Sequence, residues 1–414
     1  MKRDSHFKDV DSMIKALKPG YPVYCLRPDE LKKNAKMFLD NFPGRVMYAV
    51  KCNPHLSVLK AFYEAGIRHF DTASLAEIAT IRENFHDADC YFMHPVKARS
   101  AILSADKVYR VDHYVIDHEA ELKKIVDVTG GGNGQVVIVR LATPQYDAAF
   151  ALSEKFGATP DEAVELLKKV VAEGCQTGLA FHVGSQCRDK QAYATAMEVV
   201  KDVIERAGVN LHYLDCGGGF PAHYVEDQPE PLMSYFQTIK EEVSKLPLRG
   251  DCTLMCEPGR ALVASGVSLV VQVHLRKENS IYINDGVYHS LSETMTANVK
   301  MPMRVVRLDG TVSDKKAPFK IFGPTCDCTD VLPYEVMLPD DVQEGDWIEI
   351  GQCGAYSNSM STKFNGFFPE TYVTVDAPPL TPDALDSDMS TSVKGKKKKI
   401  AATPAEGEDE KHAA

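Results

Sequence analysis

Between residues 27 and 265 one unit recurs: a short β-rich run, then a longer stretch with helical patterning. The runs are Val46–Val50, Arg68–Asp71, Cys90–Met93, Tyr114–Asp117, Val136–Leu141, Gly178–Val183, Leu211–Cys216 and Thr253–Glu257. Between them lie helix-like stretches such as Ser57–Glu64, Ser74–Asn84, Thr159–Glu173, Lys190–Arg206 and Met233–Leu246. Thr159-Pro160-Asp161-Glu162 supplies an N-cap, a proline for the first helical position and acids for the first turn. Eight βα units in about 240 residues match a (β/α)8 barrel. A doubly wound open sheet is the alternative that the pattern alone leaves.

From residue 266 the texture changes. Val267–Leu275, Ser280–Ile283, Arg304–Leu308, Phe319–Phe322, Trp347–Ile350 and Tyr372–Val375 read as strands separated by Gly, Pro and Asp turns. The expectation is an α/β chain with a barrel over 27–265 and an all-β domain from 266–375 joined by residues 1–26. Pro22-Val23-Tyr24-Cys25-Leu26 would add a strand to that domain. From Asp376 to the end at 414, large apolar side chains are few and two charge blocks follow, so a disordered tail is expected.

Composition narrows the function. The net charge of −11 argues against nucleic acid as the main partner. No apolar run is long enough to span a membrane, and the polar start Met1-Lys2-Arg3-Asp4 lacks a signal-peptide core. Eleven cysteines, with no Cys-x-x-Cys pair, read as free thiols of a reducing cytoplasm and not as a metal site or disulfide scaffold.

In a parallel barrel, chemistry gathers at the C-terminal ends of the strands. Lys51 follows the first run, Asp71 ends the second, and His182 and Ser185 close the sixth. Gly217-Gly218-Gly219 follows the seventh, and Glu257-Pro258-Gly259-Arg260 the eighth. Partial burial would lower the Lys51 pKa and make its amine a nucleophile toward an aldehyde, although a lone lysine there is more often one snorkelling from a strand end. The three glycines allow backbone N–H groups to cradle a phosphate, and equally allow a sharp turn. Arg260 would add fixed charge to a phosphate. Glu257 could bind a protonated ring nitrogen, and His182 could stack on a flat ring or simply be a core histidine. Together these residues describe a site for pyridoxal phosphate.

The chain resembles the eukaryotic-type ornithine/lysine decarboxylase family, pyridoxal-phosphate enzymes with an alanine-racemase-like barrel. The motifs are Tyr-Ala-Val-Lys-Cys-Asn (48–53), Phe-Asp-Thr-Ala-Ser-Leu-Ala-Glu-Ile (70–78), Leu-Ser-Glu-Lys-Phe-Gly (152–157), Phe-His-Val-Gly-Ser-Gln (181–186), Asp-Cys-Gly-Gly-Gly-Phe-Pro (215–221), Glu-Pro-Gly-Arg (257–260), Gly-Pro-Thr-Cys-Asp (323–327) and Gly-Ala-Tyr (354–356) with Phe-Asn-Gly-Phe (364–367). The resemblance implies that Lys51 links covalently to the cofactor, with Asp71, Glu77 and Arg140 in support. It implies that His182 stacks on the ring, Glu257 holds the ring nitrogen, and Ser185, Gly219, Arg260 and Tyr356 hold the phosphate. Cys326 would return a proton to carbon and Asp327 would bind the distal ammonium, both from the partner subunit of a homodimer. The implied reaction is L-ornithine to putrescine in polyamine biosynthesis, with L-lysine to cadaverine beside it.

One departure bears on the substrate. Beyond Asn284-Asp285-Gly286-Val287-Tyr288, the ornithine enzymes usually carry a Tyr-Asp pair whose acid is a second clamp on the distal ammonium. Thr296-Ala297 stands there in this chain, and Glu293 is the nearby acid that could replace it. Arginine, carboxynorspermidine and diaminopimelate are therefore alternative substrates. A non-catalytic, regulator-binding homologue is a further alternative, against which Lys51, Glu257, Arg260 and Cys326 all weigh.

Overall fold

The strand Arg45–Ala49 pairs in parallel with His69–Thr72 on one side and Thr253–Cys256 on the other. Asp89–Phe92, His113–Ile116, Val136–Arg140, Gln176–Ala180 and Tyr213–Asp215 complete a closed eight-stranded parallel barrel. This computed structural model describes residues 5–143 and 155–385. All eight expected runs thus become barrel strands, and the open-sheet alternative falls. The runs read as continuous apolar segments because both faces are covered. Met47, Tyr91, Val115, Ile138 and Met255 fill the barrel interior. Their neighbours Val46, Tyr48, Phe92, Tyr114 and Val139 face the helices. Between the strands, helix Pro160–Ala172 starts as its sequence signals: Thr159 accepts from Glu162 N–H, and the Glu162 carboxylate accepts from Thr159 N–H at 2.9 Å.

A second sheet is built around Val267–Lys277, which pairs antiparallel with Val23–Leu26, Trp347–Ile350 and Ser280–Ile283. Val23–Leu26 also pairs in parallel with Thr371–Val375, so the N-terminal segment lies inside this sheet. To the expected strands the structure adds Val336–Pro339 and a helix, Val10–Leu17, whose Val10, Met13 and Ile14 pack on Val23, Val270 and Trp347.

The expected start of disorder at residue 376 is corrected. Ala377 N–H donates to Lys8 O, Arg27 Nε donates to Ala377 O, and Leu380 is buried against Gly351. The strand register to His6–Phe7 carries on into these bonds, and one leucine anchors the segment; average composition conceals both. The remainder of the tail, 386–414, lies outside the described residues.

A polar node sits within the sheet. Glu349, 2 % exposed, accepts from Arg27 Nη2 at 2.8 Å, Ser268 Oγ at 2.8 Å and Arg304 Nε at 2.7 Å. Without Arg27, Glu349 keeps only Arg304 as a cation among the described residues, and Ala377 O and Ser268 Oγ lose their Arg27 donors. Arg27→Met is expected to destabilise the protein by about 3 kcal/mol. The urea midpoint would fall at an unchanged slope; an unshifted midpoint would refute this. Among the described residues no helix is long and apolar enough to cross a membrane.

Candidate active site

Parallel register puts every C-terminal strand end on one rim. Ala49 pairs with Asp71, so Lys51, carried one 3-10 turn further by Val50–Cys52, meets the second strand end. Lys51 Nζ lies 2.9 Å from Asp71 Oδ2, and the Asp71 carboxylate is buried. Burial opposes the Lys51 charge, but Asp71 and then Glu257 outweigh it and hold the amine above its ordinary pKa. The expected depression of the lysine pKa is therefore reversed. The cause is a carboxylate that only the barrel register brings alongside.

Gly217, Gly218 and Gly219 thread between the sixth and eighth strand ends. A Cβ on Gly217 would lie 2.2 Å from Phe181 O, one on Gly218 2.7 Å from Glu257 O, and one on Gly219 2.5 Å from Gly184 O. Packing alone thus demands glycine, and it leaves the Gly219 backbone on the cavity wall. His182 Nδ1 accepts from Gly184 N–H at 3.0 Å. Burial first, then the Arg140 and Lys51 charges, hold His182 well below its usual pKa, so its imidazole is neutral.

Asp215 is fully buried and its Oδ1 accepts from Gly217 N–H at 2.8 Å. Burial pushes its carboxyl up to about 6. Glu257 is held well above the carboxylate range by burial, then by Asp215 and Asp71. The pair therefore keeps a proton that isolated carboxylates would lose. A carboxyl whose pKa is raised by folding stabilises the fold while protonated, fully so below its unfolded value of 3.8, and that contribution is lost as pH rises through about 6. Asp215→Asn keeps an acceptor for Gly217 and removes the charge. It is expected to stabilise cofactor-free protein near pH 8 by about 1–3 kcal/mol and to change little near pH 4. A melting temperature that falls at pH 8 would overturn this account.

Arg260 opens the short helix Arg260–Val263 and is only 3 % exposed. Its guanidinium donates to Tyr224 Oη at 3.0 Å and Ser185 Oγ at 3.2 Å, and its Nη2 lies 2.6 Å from Glu293 Oε2. The Tyr356 ring lies 5.2 Å from the guanidinium carbon. Tyr356 takes a left-handed φ of 61° and donates its N–H to Cys52 O, tying the second sheet to the Lys51 turn.

One cavity of about 290 Å3 joins these groups. Lys51, Arg140, His182 and Glu257 line it, and Ser185, Gly219, Gly259, Arg260 and Tyr356 form the remaining expected wall. Asp71 stands behind Lys51. Glu77 accepts from Ala73 N–H at 2.6 Å, and burial raises its pKa; neither it nor Asp71 lines the cavity. Cys326 and Asp327 lie outside the cavity, on a loop where Cys326 is exposed and Asp327 accepts from Thr329 N–H and Oγ1, both at 2.8 Å. Residues 152–154 of the expected Leu-Ser-Glu-Lys-Phe-Gly motif lie outside the described residues. Thr296 and Ala297 do not reach the cavity, whereas Glu293 lines it. The sequence reading gives no role to Tyr224, Phe220 and Met360; Phe220 sits within the Asp-Cys-Gly-Gly-Gly-Phe-Pro motif but is passed over as apolar, whereas Tyr224 and Met360 stand in no motif that would have marked them.

A lysine amine paired with a carboxylate, an acid pair, a neutral imidazole and a buried guanidinium beside a hydroxyl and a Cβ-free wall fit a phosphorylated pyridine aldehyde. Fold and site together define a pyridoxal-phosphate enzyme on a barrel. Residues 28–264 match the pyridoxal-binding domain of the pyridoxal-dependent decarboxylases, and the chain belongs to that family. It is 32% identical to a lysine/ornithine decarboxylase of Selenomonas ruminantium, over 87% of this chain and 91% of that protein. It is also 32% identical to antizyme inhibitor 2 of Xenopus laevis, over 82% of this chain and 77% of that one. The crystal structure of the Paramecium bursaria Chlorella virus arginine decarboxylase bound to agmatine matches with a TM-score of 0.78 at 28% identity, covering 88% of this chain and 99% of the viral chain.

Proposed function

We propose that this chain decarboxylates a basic amino acid, L-ornithine first and L-lysine second, as a homodimer with shared active sites. The observation that carries the reading is the Lys51–Asp71 pair and the Arg260 cluster facing one cavity at the barrel rim. When bound, pyridoxal phosphate supplies an electron sink for the pair left behind as CO2 departs. Lys51 is the covalent anchor for the aldehyde and afterwards a proton carrier held by Asp71. Glu257 keeps a proton at the ring nitrogen, with Asp215 beneath it and Glu77 and Arg140 in support. His182, being neutral, packs on the ring without opposing its charge. Ser185, Gly219, Arg260 and Tyr356 hold the phosphate, with Gly259 on the wall and Gly217 and Gly218 packed against Phe181 O and Glu257 O outside it.

Two groups needed for this chemistry stand away from the cavity of their own chain: a proton donor and a partner for the distal ammonium. A second copy would bring its Cys326 thiol and its Asp327 carboxylate to the rim. Asp327 is suited to a cation, since its Thr329 hydrogen bonds favour the ionised form and lower its pKa. Eleven free cysteines, among them the exposed Cys326 and Cys328, suit a reducing cytoplasm.

The test is CO2 release from ornithine, lysine, arginine, diaminopimelate and carboxynorspermidine with pyridoxal phosphate added. Release from ornithine or lysine is the expected result. Release from arginine alone would move the substrate assignment while leaving the reaction class. No release from any of them, with a cofactor that binds, would favour a non-catalytic homologue.

A further inference from the structure

Glu293 is a carboxylate in the wrong place for a phosphate cradle. It is 1 % exposed, lines the same cavity as Ser185 and Gly219, and lies 2.6 Å from the guanidinium that the phosphate would need. Its position is fixed by the chain: it begins the one-turn helix Glu293–Thr296, and Glu293 O accepts from Ala297 N–H. A phosphate dianion and an ionised carboxylate cannot both sit against one buried guanidinium without strong repulsion, because burial denies them the screening of water. The acid leaves, or the contact takes up one proton, which a phosphate, with a second pKa of about 6, can hold as well as the carboxylate.

We propose that one proton is taken up between Glu293 and the cofactor phosphate when that phosphate reaches Arg260, and that the two groups share it in a hydrogen bond. The inference rests on the assignment of Arg260 to the phosphate. In the absence of the cofactor, Glu293 stands in for the phosphate and keeps Arg260 paired. In its presence, the shared proton turns a repulsive contact into a hydrogen bond of the cradle.

The surrounding protein groups leave the Glu293–phosphate contact as the place where a proton is gained. Those facing the Arg260–Glu293 pair are Cys52, Tyr224 and Tyr356. Burial pushes Cys52 and Tyr224 up to about 12 and raises Tyr356 too, so all three stay protonated near neutrality. Burial opposes the Arg260 charge, but Tyr224 and then Glu293 hold its pKa above the ordinary value, so it stays charged. The more distant cavity groups, Lys51, Arg140, His182 and Glu257, face the ring end and are common to wild type and variant.

The experiment is calorimetric titration of cofactor-free protein with pyridoxine phosphate, an alcohol that cannot condense with Lys51. Titrations near pH 8 in two buffers of different ionisation enthalpy give the protons taken up per ligand. Wild type is expected to take up close to one proton more than Glu293→Gln, and the variant to bind about tenfold or more tightly. Equal uptake in the two proteins overturns the proposal, as does weaker binding by a Glu293→Gln protein whose melting curve is intact. Glu293→Ala serves as a second variant and is expected to lose the same proton. Comparing Arg260→Met/Glu293→Gln with Glu293→Gln separates the two assignments. Unchanged affinity there would mean that Arg260 does not hold the phosphate. A loss there with equal proton uptake would reject Glu293 alone.

Discussion

Lys51→Ala protein, loaded with pyridoxal phosphate and reduced with borohydride, is expected to retain no cofactor on the chain, where wild type retains it in stoichiometric amount. Lys51 is the one lysine among the described residues that line the cavity, so no neighbouring amine stands ready to replace it. Decarboxylation should fall by about 10^2–10^4, the range for loss of a positioned proton-transfer group. The variant also strands Asp71, which is buried and has lost its cation, so its melting temperature should drop as well. Mass spectrometry of the reduced protein is the direct check. A cofactor adduct on the Lys51→Ala variant would assign the anchor to another residue.

The second large effect concerns Cys326. Its alanine variant should bind cofactor as wild type does and lose turnover by about 10^2–10^4, because the thiol stands outside the cavity of its own chain and acts only on protonation. Mixing it with the Lys51→Ala protein should restore about a quarter of wild-type activity. Random pairing makes half the dimers mixed, and each mixed dimer holds one intact site of two. No recovery on mixing, with dimers still exchanging subunits, would place both residues in one chain's site. Wild-type turnover by the single variant would remove Cys326 from the reaction.

Much of the fold is legible in the sequence because a parallel barrel buries both faces of its strands. Val136–Arg140 is apolar until its last residue, and that residue, Arg140, is where the cavity begins. The same logic makes Lys51, His182 and Glu257 conspicuous: each ends an apolar run with a polar side chain. Val336–Pro339 is hard to see for the opposite reason, being short, half exposed and ended by proline. The electrostatics are less legible than the positions. The direction of the Lys51 pKa depends on Asp71, which stands 20 residues away and arrives only through strand pairing. Glu293 reads from the sequence as a substitute clamp for substrate, and only its placement beside Arg260 ties it to the group proposed to hold the phosphate.

The placement of Val23–Leu26 between Val267–Lys277 and Thr371–Val375 has a consequence for how the protein comes to exist. Arg27, at the end of that strand, bonds to Ala377, 350 residues downstream. On the ribosome the barrel sequence emerges whole while the edges of this early strand still lack their partners. The second sheet is therefore the last part to assemble, and pairings so distant in sequence close slowly. Chains interrupted before residue 371 would present a bare strand edge to one another, the circumstance in which nascent proteins aggregate.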